Sequence, residues 1–236
     1  MCLIVVGWRV HPDYPLVVAA NRDEFYRRPT AFAGFWPDAP DVLGGRDLEA
    51  GGTWLGITRA GRFAAVTNVR QTGAAPGSHS RGQLTRAFLT GTRSAADYVA
   101  GIDMAGYAGF NLLVSDGDSL CYASNRGAAH AELVPGIYGL SNHLLDSPWP
   151  KLVSARQRAT GAIAALPARA ALFSILADDE IVRDDELPAT GVPLEWERLL
   201  SAIFVRSADY GTRASTIVTV GNTGGIDLEE RSFGPA

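Results

Sequence analysis

An α+β fold built on antiparallel sheets is predicted by three features of this 236-residue sequence. Short apolar runs come in pairs joined by tight polar turns, the mark of hairpins. Two helical blocks sit among the hairpins instead of following each strand, which argues against an alternating βαβ chain. No internal repeat or low-complexity linker breaks the pattern. One domain spanning 1–236 is therefore expected.

Cys2–Val10 reads as a strand, His11-Pro12-Asp13-Tyr14-Pro15 as a turn, and Leu16–Ala20 as the returning strand. Both strands are almost continuously apolar, so burial on both faces is expected. Arg27–Gly52 is rich in Gly, Pro and Asp and reads as a long ordered loop, a kind that is often functional. Thr53–Thr58 and Arg62–Asn68 make a second hairpin around Ala60-Gly61, followed by the polar loop Gln71–His79. Gly82–Leu89 and Ala95–Gly101 read as helices. Phe110–Ser115 and Ser119–Ser124 form a third hairpin across Asp116-Gly117-Asp118, and His130–Leu133 and Ile137–Ser141 are shorter strands. The pattern then turns helical over Lys151–Leu166, Ala170–Leu176 and Leu194–Ile203. Thr212–Val220 and Ile226–Ser232 close the chain as a fourth hairpin over Asn222-Thr223-Gly224-Gly225.

Hydrophobic residues make up 47% of the chain and charged residues 19%, as in ordinary globular proteins. A net charge of -4 argues against a nucleic-acid partner. The two cysteines, Cys2 and Cys121, are too few for a disulfide scaffold. The N-terminus lacks the basic start and small-residue cleavage pattern of a signal peptide. A reducing, cytoplasmic setting is expected. No apolar run reaches the roughly 18 residues of a transmembrane helix.

Chemistry is signalled first by Cys2, directly behind the initiator methionine. Removal of Met1 would leave one residue carrying both a thiol and a free α-amine. The amine's reference pKa of about 7.7–8.0 suits it to accept the thiol proton near neutrality. A buried cysteine that merely packs is the plain alternative. The second signal is Asn21-Arg22-Asp23-Glu24, an abrupt polar cluster at the end of the returning strand. A short in-register hairpin brings that cluster toward Cys2. A carboxylate there could hold the amine and an arginine could favour thiolate. Alternation sets Asn21 and Asp23 on one face and Arg22 and Glu24 on the other.

The opening Met1-Cys2-Leu3-Ile4, the tetrad Asn21-Arg22-Asp23-Glu24, and the blocks Gly51-Gly52-Thr53-Trp54-Leu55-Gly56 and Thr67-Asn68-Val69-Arg70 together resemble the NRDE family. This is the Transport and Golgi Organization 2 protein family. Ser80-Arg81-Gly82, Tyr107-Ala108-Gly109-Phe110-Asn111-Leu112, Gly139-Leu140-Ser141-Asn142 and Tyr210-Gly211-Thr212-Arg213 extend the match over essentially the whole chain. The family's similarity to cysteine-type N-terminal-nucleophile (Ntn) hydrolases implies a four-layer αββα sandwich of two antiparallel sheets. Relatives such as penicillin V acylases and bile salt hydrolases cleave linear amides. The resemblance places the nucleophile on Cys2, the arginine and aspartate on Arg22 and Asp23, two asparagines on Asn68 and Asn142, and a late arginine on Arg213. Amide donors at Asn68 and Asn142 would suit an oxyanion hole. One departure stands out. In those hydrolases two residues separate the arginine from the aspartate, whereas Arg22 and Asp23 are adjacent.

The resemblance implies an amide or thioester hydrolase without a cofactor. The alternative is a non-catalytic protein that binds haem, acyl-CoA or lipid, since family members are linked to such ligands. No C-x-x-C-H attachment motif is present, although Cys2 or a histidine could ligate iron. Further candidates for substrate contact are Asn21, Glu24, Arg46, Trp54 and His143. Arg46 and Asp47 could line the site or pair structurally. Phe32, Phe35, Trp36 and Trp54 could wall it or pack in a core. The four histidines are scattered, so a metal site is not expected.

Overall fold

The computed structural model describes residues 2–73, 77–127 and 130–234. Met1, whose removal would free the Cys2 amine, and residues 74–76 of the Gln71–His79 loop lie outside the described residues. Along the chain run strands β1 (Cys2–Trp8), β2 (Leu16–Phe25), β3 (Thr30–Trp36), β4 (Ala39–Asp47), β5 (Leu55–Thr58) and β6 (Phe63–Asn68). Helices α1 (Gly82–Leu89) and α2 (Ala95–Ala100) follow, then β7 (Phe110–Ser115), β8 (Leu120–Ser124), β9 (His130–Glu132) and β10 (Gly136–Leu140). Helices α3 (Pro150–Ala164), α4 (Ala170–Leu176) and α5 (Leu194–Leu199) precede the closing hairpin of β11 (Tyr210–Val220) and β12 (Ile226–Ser232). The fold is α+β with two antiparallel sheets, as expected. The chain divides into two compact units: Met1–Arg27, Arg70–Thr72 and Pro135–Ala236 form one, Arg28–Val69 and Gly73–Val134 the other.

The first unit holds a five-stranded sheet in the order β10-β1-β2-β11-β12. Its helix-side core joins Leu3, Val5, Val17, Ala19 and Ile217 of the sheet to Leu152, Ala155 and Ala159 of α3 and Leu172 and Ile175 of α4. Every second strand residue serves that core because side chains alternate across a sheet. Pro150 opens α3, where its missing N–H costs nothing. A Cβ on Gly139 would lie 2.8 Å from Leu152 Cγ, so α3 rests on bare β10 backbone. Strand β1 stops where Arg9 takes a left-handed φ of 50°.

The second unit holds a seven-stranded sheet in the order β3-β4-β5-β6-β7-β8-β9, with α1 and α2 on one face. Ala64, Val66, Phe110, Leu112, Val114 and Cys121 meet Leu84, Phe88, Tyr98 and Val99 there. Cys121 is a core residue at 1% exposure. The glycine block before β5 has a steric cause. A Cβ on Gly52 would sit 2.4 Å from the Gly82 carbonyl oxygen, and Thr85 Oγ1 donates to Thr53 O at 2.5 Å.

Three expectations are corrected. Arg27–Gly52 is no loop: most of it is the β3/β4 hairpin, whose register shifts between Ala31 and Gly34 and between Phe35 and Trp36. Such bulges erase the alternation a sequence reading depends on. Strand β2 runs five residues past Ala20, through the polar tetrad, because β1 and β11 pair with it on both sides. Helix α5 ends at Leu199 instead of Ile203. Beyond it, the carbonyls of Leu200, Ala202 and Ile203 accept hydrogen bonds from buried side chains. Among the described residues no helix is long and apolar enough to cross a membrane.

Candidate active site

Cys2 opens β1 directly opposite Arg22 of β2, so the two side chains share one face of the sheet. Cys2 is 7% exposed and Arg22 6%. The Cys2 nitrogen lies 3.4 Å from Asn142 Oδ1, and Ser141 Oγ donates to Cys2 O at 2.9 Å. That nitrogen is a peptide nitrogen while Met1 is attached and the α-amine once Met1 is gone. Oδ1 can accept from it in either form. Burial pushes the Cys2 thiol up, and the Asp23 charge adds to this. Arg22 and the Asp23 backbone N–H, which reaches the sulfur, work toward thiolate.

Asp23 belongs to the opposite, helix-side alternation of β2 together with Asn21, as their spacing predicts. Its Oδ1 accepts from Thr212 Oγ1 at 2.7 Å, and its backbone carbonyl accepts from Tyr210 Oη at 3.1 Å. Burial raises the Asp23 pKa, while Lys151, the Thr212 hydrogen bond and Arg22 favour the anion. Lys151, on the first turn of α3, is buried, and its Nζ donates to Leu200 O at 2.8 Å and Ala202 O at 3.4 Å. Burial lowers its pKa to about 8, and the Asp23 charge opposes that fall.

Arg70 supports the same corner from another direction. Its backbone N–H donates to Asn142 O at 2.7 Å, and Nη1 meets Glu197 Oε2 at 2.8 Å with both side chains nearly inaccessible. The guanidinium also lies over Trp149, 5.0 Å from the ring centre. Glu197 Oε1 accepts from the Thr190 backbone N–H and hydroxyl. The loop that presents Asn142 is thus pinned to α5 through a buried ion pair.

The remaining sequence candidates take varied places. Arg213 sits at the β11 bulge between Thr212 and Ala214 and donates to the carbonyls of Phe25 and Tyr26, with Arg22 close enough to depress its pKa after burial. Asn21 is fully buried: Nδ2 donates to Leu176 O and Ile203 O, and Oδ1 accepts from Ser215 Oγ. Its amide ties β2 to the helical side, which is a structural task. Glu24 Oε1 accepts from the Phe25 N–H. His143 is exposed, its Nδ1 2.8 Å from Ser147 Oγ and its ring against Trp149.

In the second unit, Asn68 ends β6 opposite Phe110, and Trp54 is half-buried before β5. Arg46 grips Asp38 with a two-pronged contact, reaches Gly51 O and covers Trp36. Phe32 and Phe35 are exposed, whereas Trp36 is a core residue.

Sequence reasoning assigned no role to Lys151, Arg70, Glu197, Ser141, Thr212 or Tyr210. Lys151 did carry a signal. A cation at the second residue of a helix opposes the helix dipole, and its neighbours Leu152 and Ala155 face the core.

The chain is 37% identical over 260 residues to the Transport and Golgi organization 2 homolog of Mus musculus, covering 99% of this chain and 93% of that protein. The Bos taurus homolog is 39% identical over 259 residues, at 99% and 93% coverage. Among solved structures, the Caenorhabditis elegans N-acylethanolamine-hydrolyzing acid amidase ortholog superposes with a TM-score of 0.54 at 12% identity over 92% of each chain. This shows a shared fold. The family model for Transport and Golgi organisation 2 matches residues 1–235, and the chain belongs to that family.

Proposed function

We propose that this chain is an Ntn-type cysteine hydrolase acting on a linear amide or thioester of a small molecule. The observation that carries the reading is the approach of the Cys2 nitrogen to Asn142 Oδ1 at 3.4 Å, with Arg22 opposite Cys2. In this scheme removal of Met1 frees the α-amine, which takes the thiol proton. The thiolate attacks the carbonyl carbon, and the C–N or C–S bond breaks as the leaving group collects that proton. Water, deprotonated by the same amine, then hydrolyses the acyl-thioester and restores the thiol. Asn142 orients the amine through Oδ1, a different task from the oxyanion donor the resemblance implies. Arg22 counters the cost of a buried thiolate. The amidase named among the structural neighbours favours a linear amide as the first substrate class to test. Two free cysteines fit a reducing compartment such as the cytoplasm.

A second reading rests on the burial that holds Cys2 as a thiol. In that reading the same residues serve a non-catalytic binder of haem, acyl-CoA or lipid. Intact mass and a thiol-directed probe at neutral pH separate the two. Loss of Met1 with rapid, selective labelling of Cys2, followed by turnover of an amide panel, supports the hydrolase. A retained Met1 with a slow Cys2 overturns it. A haem-induced Soret shift abolished by substituting Cys2 or His143 would then favour the binder.

A further inference from the structure

Among the described residues of the first unit, Lys151 is a buried ammonium with no carboxylate within salt-bridge distance. Its two hydrogen-bond partners are the carbonyls of Leu200 and Ala202. The stretch that supplies those carbonyls continues straight to the site. Ile203 O accepts from Asn21 Nδ2, and the Val205 N–H donates to Thr212 Oγ1, whose hydroxyl proton goes to Asp23 Oδ1. Residues 200–205 therefore bind Lys151 at one end and Asp23, through a single hydroxyl, at the other. A buried cation without a paired carboxylate is costly, and an apolar side chain would fill the same stripe of α3 without that cost. Position and cost together ask for a task.

We propose that Lys151 is a positioning residue: its ammonium, anchored on the Leu200 and Ala202 carbonyls, counter-charges Asp23 from the helix side of the sheet and keeps Asp23 an anion that joins Asn142 in orienting the Cys2 amine. The proposal rests on the hydrolase reading for the last step only; the charge coupling of Lys151 to Asp23 stands without it. Of the charges acting on Lys151, Asp23 is the strongest, ahead of Arg70 and Cys2. The other elements packed on α3 add little. Helix α4 carries no ionisable side chain and β10 only Tyr138, while Arg156 and Arg158 of α3 itself pair with Asp146 and Asp178.

The experiment follows carboxyl and amine titrations by NMR in the full-length protein, with 13C in aspartate carboxyls and lysine Cε. In Lys151→Met the Asp23 midpoint should rise by about one pH unit, the usual size of losing one nearby opposite charge. An unchanged midpoint in a folded variant overturns the proposal. Should Lys151→Met not fold, Asp23→Asn gives the reciprocal reading: the Lys151 midpoint must fall below its wild-type value, and an unmoved one overturns the coupling. Cys2 labelling against pH is read in the same samples. If the wild-type thiol does not label, the hydrolase reading fails while the titrations still decide the coupling. If it labels, Lys151→Met should shift the pH profile of labelling; an unaltered labelling profile beside a shifted Asp23 removes the positioning role.

Discussion

The two units of this chain bury polarity in opposite styles. The second unit keeps its buried polar groups neutral and fully engaged: Asn111 Nδ2 donates to Thr67 Oγ1, Tyr122 Oη donates to Asn111 Oδ1, and Ser124 Oγ donates to Phe110 O. Its ion pairs, among them Arg46 with Asp38 and Arg28 with Asp47, lie at accessible positions. The first unit buries Arg22, Asp23, Lys151 and Glu197. Charge is far more expensive to desolvate than a hydroxyl or amide, and proteins concentrate it where a shifted pKa has a use. That concentration of buried charge is what favours the first unit as the seat of the proposed chemistry.

The contrast breaks most completely at the cysteines. Cys2→Ala should abolish turnover, a loss of at least about 10⁴-fold for a covalent nucleophile. Cys121→Ala, in the α1/α2 core, should leave the rate intact and cost only stability. Equal turnover of wild type and Cys2→Ala would remove the nucleophile. Next in size is Asn142→Ala. With the amine no longer held, kcat should fall on the order of 10²–10³-fold. Normal kcat with a raised KM would move Asn142 to substrate binding.

A pH experiment sharpens the point about buried charge. Lys151 releases its proton at about 8 in the native state, against 10.5 for an ordinary lysine. Between those values the unfolded chain holds a proton the native state has given up, so this group makes the native state gain stability as pH rises. Lys151→Met lacks the group. The stability difference should therefore move toward wild type by about 3 kcal/mol across that window, read from urea melts of both proteins. Parallel curves would mean that Lys151 titrates like an exposed lysine.

Asn21→Ala should behave as a structural change. It strands the carbonyls of Leu176 and Ile203 and the Ser215 hydroxyl in the interior, at a cost of about 3 kcal/mol. Cys2 labelling at low temperature should match wild type. Lost labelling in a stable Asn21→Ala would return Asn21 to the site.

What the sequence disclosed of this site follows from contact range. Cys2 and Arg22 are joined by one short hairpin, so the apolar runs and the turn were enough to bring them together. The face-sharing of Asn21 with Asp23 came from alternation alone. Arg70 and Glu197 are separated by most of the chain, and no local periodicity marks such a pair. Lys151 carried only a faint mark, a cation on the first turn of a helix. The β3/β4 hairpin was missed because its bulges and glycines remove the alternation that announces strands.

The smallest effect is expected at Arg46, a sequence candidate for substrate contact. Its guanidinium is already committed: two nitrogens to the Asp38 carboxylate, Nε to Gly51 O and the flat face to Trp36. An exposed ion pair contributes little because water screens it and two long side chains must be held still. Arg46→Ala should therefore lower the melting temperature slightly, through lost cover over Trp36, and leave Cys2 labelling and turnover at wild-type values. Arg46→Lys keeps the charge but not the planar fork, so it should resemble the alanine variant more than wild type. A tenfold rise in KM for both variants, with an unchanged melt, would reverse the contrast by giving an accessible ion pair of the second unit a part in recognition.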